Sequence, residues 1–332
     1  MHPELFRIPF TDLTVKGYGF LMVCGFISAI YLIRRLSRDL GDHSEHITSA
    51  ALYSLIAGVV GARIFYVIHY WPQFSEKPFT EIFTVWKGGL ELLGGVLLAI
   101  FIIVAYLIVK KLPVRRYLDI LGIGLLLALG FGRLGCFMNG CCFGRPTESP
   151  VAVRFPYASI PYESQIRPDF DRHREKPYFE LPSDFFEEIN DGYYLKSYES
   201  LSPQQKFEIA KGGPFRCRPV IPTQIFESLL AFAGCIILYF HRQRGIKIQK
   251  QGRKLPFFFR PGITFALMFI IYGVMRFFIE FLRDDNPIQA NGLTISQNLS
   301  LALIIVNSAL IVLFAKMKPD NFTIRTATVR ER

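Results

Sequence analysis

Leu118-Asp-Ile-Leu-Gly-Ile-Gly-Leu-Leu-Leu-Ala-Leu-Gly-Phe-Gly-Arg133-Leu-Gly-Cys-Phe137, running on into Met138-Asn139-Gly140-Cys141-Cys142-Phe143-Gly144-Arg145, decides the fold class. At 1.5 Å per residue, a helix over 118–137 is about 30 Å long, the thickness of a bilayer's hydrocarbon core. Its first part is almost wholly apolar, and from Gly130 to Arg145 five glycines surround Arg133. Six further stretches read the same way, at 17–33, 47–69, 92–109, 221–240, 262–281 and 299–314. Buried helices of a soluble core would need amphipathic partners to cover them. The sequence contains none. The expected fold is an all-α polytopic membrane protein with seven transmembrane helices.

Charge gives the expected orientation. The 332 residues carry 38 Lys+Arg against 27 Asp+Glu, a net charge of +11. Arg34, Arg35 and Arg38 follow the first span, Lys110, Lys111, Arg115 and Arg116 the third, and seven cations between Arg242 and Arg260 the fifth. The alternate loops are nearly balanced. By the positive-inside rule the N-terminus lies outside and the C-terminus in the cytoplasm. The basic excess then reflects topology and contact with membrane lipids, with no nucleic acid needed. Residues 1–138 are expected to hold helices one to four and 139–220 an extracytoplasmic head insert, rich in aromatics, Pro and charge. Residues 221–315 are expected to hold helices five to seven, and 316–332 a cytoplasmic tail. Residues 1–16 lack the apolar core of a cleavable signal peptide. A composition 51% hydrophobic, with 26 glycines besides, excludes a disordered chain and argues against an ordinary cytosolic enzyme.

Charged groups inside a bilayer are costly and usually mark function. Arg63, Arg133 and Arg276 each fall four to seven residues before the expected outer end of a span. That places three guanidinium groups at one level, where a shared anion site competes with independent snorkelling. Tyr272, Arg276, Glu280 and Arg283 fall within an arc of about 80° on one helix face. Glu280 is there spaced to pair with Arg276 or Arg283.

These motifs, in order, resemble the prolipoprotein diacylglyceryl transferase family of bacterial inner-membrane enzymes. The likeness runs through Lys16-Gly-Tyr18-Gly, Gly61-Ala-Arg63 with Tyr66, Val85-Trp-Lys-Gly-Gly-Leu90 and Gly94-Gly95. It continues through Gly132-Arg133-Leu-Gly-Cys-Phe-Met-Asn139-Gly, Gly144-Arg-Pro-Thr147 and Pro222-Thr-Gln-Ile-Phe-Glu227. Tyr272-Gly-Val-Met-Arg276-Phe-Phe-Ile-Glu280-Phe-Leu-Arg283 and Ser296-Gln297 complete it. The chain departs from the family pattern at Leu93 and Ile221, where histidine is usual, and at Phe226 and Cys136.

The resemblance implies transfer of the diacylglyceryl group of phosphatidylglycerol to the lipobox cysteine of a preprolipoprotein signal peptide. A thioether forms and glycerol phosphate leaves. Arg133 and Arg276 are the implied catalytic groups. Arg133, Tyr18, Arg63, Asn139, Gly144, Glu227, Tyr272, Glu280 and Arg283 are the implied substrate-binding set, with Arg63 and Arg283 adding charge and the two glutamates orienting the arginines. With Leu93 in the histidine's place, His69 and Glu91 are substitute bases to be weighed against plain interface residues. A positive field acting on the acceptor thiol is the other route to a thiolate. No cofactor is expected, and no metal, since the outer histidines lack ligand spacing. Cys141, Cys142 and Cys217 fall on the oxidising side, but spacing does not encode their connectivity. Rival readings are a catalytically inactive phospholipid-binding paralogue, favoured by the absent histidines, and an anion or organic-phosphate transporter. The latter needs a polar path through both leaflets, against the apolar 118–129 and 263–271.

Overall fold

The computed structural model describes residues 4–7, 14–75, 79–84, 89, 91–189, 192–289 and 292–317. The chain is mostly helical. Its helices are α1 (Gly17–Ser37), α2 (Ser44–His69), α3 (Trp71–Phe74), α4 (Leu92–Val109) and α5 (Val114–Asn139), then α6 (Ile160–Gln165), α7 (Pro203–Ile209), α8 (Thr223–Lys250), α9 (Ile263–Glu280) and α10 (Ile295–Lys316). Two antiparallel hairpins, β1 (Glu4–Arg7) with β2 (Thr14–Lys16) and β3 (Phe186–Ile189) with β4 (Gly192–Leu195), are the only sheets among the described residues. Six helices are long and apolar enough to cross a membrane: α1, α2, α5, α8, α9 and α10. In α4 the described apolar run, Gly94–Val109, is shorter. Ile27, Ile68, Phe101 and Ile305 are each 62–69% exposed on their helices. Lipid is the solvent in which such exposure costs nothing.

The chain divides into two compact units. One comprises Met1–Phe26, Leu126–Ile236 and Met268–Ala309. Between α5 and α8 it carries a buried cluster of Phe143, Phe155, Tyr162, Cys217 and Val220, flanked by Phe137, Tyr157, Ile166, Phe179, Leu181 and Leu195. Polar groups inside the cluster find partners, as burial demands. The Tyr162 hydroxyl donates to the Phe215 carbonyl at 2.9 Å, and Gln165 takes up both backbone groups of Arg218 at 3.1 and 2.7 Å. All six cysteines are free. Burial pushes the Cys217 thiol up to about 11. In the same unit Thr294 caps α10: its hydroxyl accepts from the Gln297 amide at 3.3 Å, and the Gln297 side chain accepts from the Thr294 amide at 3.0 Å. This reciprocal capping box gives the Ser296-Gln297 motif one of its reasons.

The other unit comprises Ile27–Leu125, Ile237–Leu267 and Leu310–Arg332. Here α2 and α4 meet backbone to backbone through small residues. A Cβ on Gly61 would lie 2.5 Å from the Gly94 carbonyl oxygen, and one on Gly95 2.7 Å from that of Gly58. The Gly94-Gly95 pair is therefore a packing device of the small-residue kind used between membrane helices. Gly94→Ala would drive a methyl into the Phe65 side chain and the Gly61 carbonyl. The expected cost is about 1–3 kcal/mol, read as a lowered unfolding midpoint in detergent. Gly19→Ala, where a Cβ meets nothing within 4 Å, is the control; equal midpoints for the two variants would refute the packing role.

Sequence reading passed over one buried acid in this unit. Asp119 accepts from the Gly262 and Phe265 amides at 2.8 and 2.9 Å, satisfying the free N–H groups at the start of α9 from another helix. Asp39 pairs with Arg242 at 3.3 Å and Lys250 at 3.7 Å.

Candidate active site

The site lies within the first unit, and its frame is a crossing of three distant backbone segments. The chain leaving α5 passes between the start of α8 and the end of α9. The Gly144 amide donates to the Ile221 carbonyl at 2.9 Å, and the Arg145 amide to that of Leu282 at 2.8 Å. The Ile221 amide returns a bond to the Arg145 carbonyl at 3.0 Å, and the Asp284 amide one to Phe143 at 3.3 Å. A Cβ on Gly144 would lie 2.7 Å from both the Ile221 and Leu282 carbonyl oxygens, so only glycine permits the crossing. Thr223 and Gln224, in the first turn of α8, tighten it further. The Thr223 hydroxyl donates to the Cys142 carbonyl at 2.6 Å, and the Gln224 amide to that of Cys141 at 2.7 Å.

That crossing brings the intramembrane charges together. Glu227, one turn into α8 and wholly buried, pairs through Oε2 with the Arg133 Nε at 3.1 Å and accepts a hydrogen bond on Oε1 from the Arg276 Nη1 at 3.0 Å. Arg276 Nη2 reaches Glu280 at 2.8 Å and the Ser296 hydroxyl at 2.9 Å. Glu280 also lies 3.9 Å from Arg283 and accepts from the Asn286 amide. Burying these charges unpaired would be prohibitive, and pairing on both sides is the solution found. Arg283 forms a forked pair with Asp285 at 2.8 and 2.6 Å. Burial disfavours its charge, but Asp285 outweighs that and raises its pKa. Three arginines thus face three carboxylates.

The arginines differ in what they leave open. Arg276 and Arg283 are 9% and 4% exposed at the side chain, with Nη1 and Nη2 of the first and Nε and Nη2 of the second on partners. Arg133 is 15% exposed. Its Nη1 lies 3.6 Å from the Cys142 sulfur, and among the described residues its Nη2 makes no hydrogen bond. An anion reaching this site therefore finds Arg133 first. Tyr18 packs over Gly135, half-exposed, close enough to Arg133 to sense its charge, and Tyr272 lies within the same electrostatic range. Asn139 is exposed at the last position of α5.

Several participants carried no signal in the sequence. Arg172, from the segment between α5 and α8, donates to the carbonyls of Asn286 and Arg283 at 2.6 and 2.8 Å and pairs with Asp284 at 3.6 Å, fixing the corner after α9. Burial raises the Asp284 carboxyl and Arg172 works against it. Asp285 and Asn286 also join the network, as does Ser296 of the Ser296-Gln297 motif, and local helical spacing links none of them to the arginines of the other helices.

Arg63 belongs to the second unit and is held there by backbone oxygens. Its Nε donates to Ile82 at 2.7 Å, Nη1 to Gly89 at 3.0 Å and Nη2 to Glu81 at 2.7 Å, with the Tyr66 and Phe74 rings against its guanidinium. His69 and Glu91, the two substitute bases, meet each other at 3.3 Å, and the His69 ring stacks on Tyr70. The side chain of Leu93, residues 85–88 and 90, and the tail beyond residue 317 lie outside the described residues.

The family model for prolipoprotein diacylglyceryl transferase matches residues 3–313, nearly the whole chain and every element of this network. The chain belongs to that family. A phosphatidylglycerol–prolipoprotein diacylglyceryl transferase of Clostridium tetani is 29% identical over 306 residues, covering 92% of this chain and 95% of its own. One from Clostridium perfringens, numbered 2, is 26% identical over 294 residues, 88% of each chain. One from Staphylococcus aureus is 27% identical over 300 residues, 90% of this chain and 85% of its own. With six helices of membrane-crossing length, the family member described here is a multi-pass membrane protein.

Proposed function

We propose that this chain transfers the diacylglyceryl group of phosphatidylglycerol to the lipobox cysteine thiol of preprolipoproteins. A carbon–sulfur bond forms, the bond from that glycerol carbon to the phosphate oxygen breaks, and glycerol phosphate leaves. The observation that carries the reading is the Arg133–Glu227–Arg276 cluster, with the Arg133 fork partly open. Charge grows on the phosphate as it departs, and a forked donor in a dry site stabilises it strongly. Arg133 contacts the phosphate. Arg276 supplies charge and, with Glu227 and Glu280, holds Arg133 in place, while Arg283 adds positive charge at the corner. Tyr18, Asn139, Tyr272 and the Gly144 backbone line the headgroup. By the family resemblance Arg63 adds supporting positive charge; its guanidinium is held by the Ile82, Gly89 and Glu81 carbonyls. The inactive-paralogue reading predicts phosphatidylglycerol binding without transfer. A purified-protein assay with phosphatidylglycerol and a lipobox peptide separates the two, and failure to produce thioether while lipid binds would refute the transferase.

The membrane arrangement belongs to the same proposal. Seven spans, α4 being the seventh, cross the bacterial inner membrane with the N-terminus outside, and 139–220 form an extracytoplasmic head. Reporter fusions after Arg38, Arg115 and Arg253 are expected to read cytoplasmic and one near Glu187 external. An external signal at Arg253 would overturn the orientation.

A further inference from the structure

Three of the six cysteines converge beside Arg133. The sulfurs of Cys136, Cys141 and Cys142 all lie within 4.8 Å of one another. Their spacing is unlike the usual pairs of zinc sites, which hid them in the sequence. Cys136 is on the last turn of α5, and the chain then reverses so that Cys141 and Cys142 return to it. Cys142 sits at φ 62°, a left-handed conformation that a non-glycine residue adopts only when its surroundings impose it. The Thr223 and Gln224 bonds to the Cys142 and Cys141 carbonyls supply that constraint. The loop is thus held with its sulfurs gathered, before any ligand arrives.

We propose that Cys136, Cys141 and Cys142 are a three-thiolate site for one soft divalent cation, Zn2+ by chemistry, whose remaining coordination position takes the acceptor thiol of the transfer reaction. The second half rests on the transferase reading above. A tetrahedral zinc with sulfur at about 2.3 Å sets sulfurs about 3.8 Å apart, so the cluster needs to contract by no more than about 1 Å. Thiolate sets select zinc over hard cations. The local charges do not oppose a cation: Arg133, Arg276 and Arg283 are paired with Glu227, Glu280 and Asp285, so a metal among the three sulfurs meets no uncompensated positive charge from them.

Three protein ligands and one open position is the pattern of catalytic rather than structural zinc. A thiol entering that position gives its proton to water and stays as thiolate. The thiolate's electron pair then forms the carbon–sulfur bond as the carbon–oxygen bond to phosphate breaks, and glycerol phosphate carries the charge away. Thiol activation is the task left without an owner by Leu93, and Arg133, 3.6 Å from the Cys142 sulfur, places the departing phosphate next to it.

The test uses full-length protein in detergent, reduced, stripped of metal and titrated with Co2+. One equivalent is expected to bring intense thiolate-to-cobalt charge-transfer absorption, lost in Cys136→Ser and in the triple serine variant. A lipobox peptide, added without phosphatidylglycerol, is expected to shift the cobalt d–d bands, and its Cys→Ser counterpart to leave them unmoved. Restoring Zn2+ to stripped protein should raise transfer about 10²–10⁴-fold, the range of help a thiol activator gives. No charge-transfer band in the unmodified protein, or an equal band in the triple variant, overturns the site. A band unmoved by the peptide overturns the acceptor role. A band shifted by the peptide in a protein that never transfers supports the metal site and tells against the transferase reading.

Discussion

Arg133→Ala is expected to lower transfer from phosphatidylglycerol to a lipobox peptide by at least about 10²–10³, the loss typical when one preorganised donor to a developing anion is removed. The argument is geometric. Arg133 is the most exposed arginine of the cluster and has its Nη2 open among the described residues, whereas Arg276 and Arg283 are more deeply buried and held on carboxylates. Lysine at this position is expected to recover little, because a point charge cannot hold Glu227 through one nitrogen and present the others to phosphate. His69→Ala and Glu91→Gln are the companion variants. These residues hydrogen-bond each other at 3.3 Å, an arrangement that serves two interface residues as well as an acid–base pair. Most of the activity is expected to survive both changes. Collapse in either, with protein level and unfolding midpoint preserved, would show that the base has moved there.

The second large effect belongs to Glu227. Its two oxygens each hold a different arginine, and its side chain is wholly buried. Glu227→Ala leaves two guanidinium groups facing each other without their shared counter-charge. Breaking a buried pair costs about 3–5 kcal/mol, so both a lower unfolding midpoint and loss of transfer are expected. Glu227→Gln keeps the shape and one acceptor oxygen, and should fall between. A Glu227→Ala protein as stable as Gly19→Ala would mean that the arginines have other countercharges, and the shared-carboxylate account would fail.

How far the sequence reached can be judged residue by residue. Apolar length suffices for the six helices of membrane-crossing length, because a bilayer enforces it, while α4 shows a shorter apolar run. Glu280 was legible as a partner of Arg276 because four residues on a helix is one turn. Glu227 was legible only through resemblance: it lies 49 residues from Arg276 and 94 from Arg133, and no local rule joins them. Arg172 was invisible for the same reason, at 111 residues from the carbonyl it holds. Asp119 went unread for another reason: its task, capping a helix that begins at Ile263, exists only in three dimensions. The cysteines escaped because a tight reversal after α5, imposed from α8, sets their proximity.

The Gly144 crossing also has a consequence for biogenesis. Its three segments are separated by some 75 and 60 residues of chain, and the last of them, around Leu282, follows α9. A nascent chain that has released α8 but not α9 into the lipid holds Glu227 with one arginine instead of two, and the strand through Gly144 with one flanking backbone instead of two. Such an intermediate has its earlier helices in place and its chemistry unassembled. The Arg145 amide then has no partner until the chain after α9 supplies the Leu282 carbonyl. Assembly of the centre is thereby tied to the final stage of translation, and a chain truncated within α9 has no latent activity to release into the membrane.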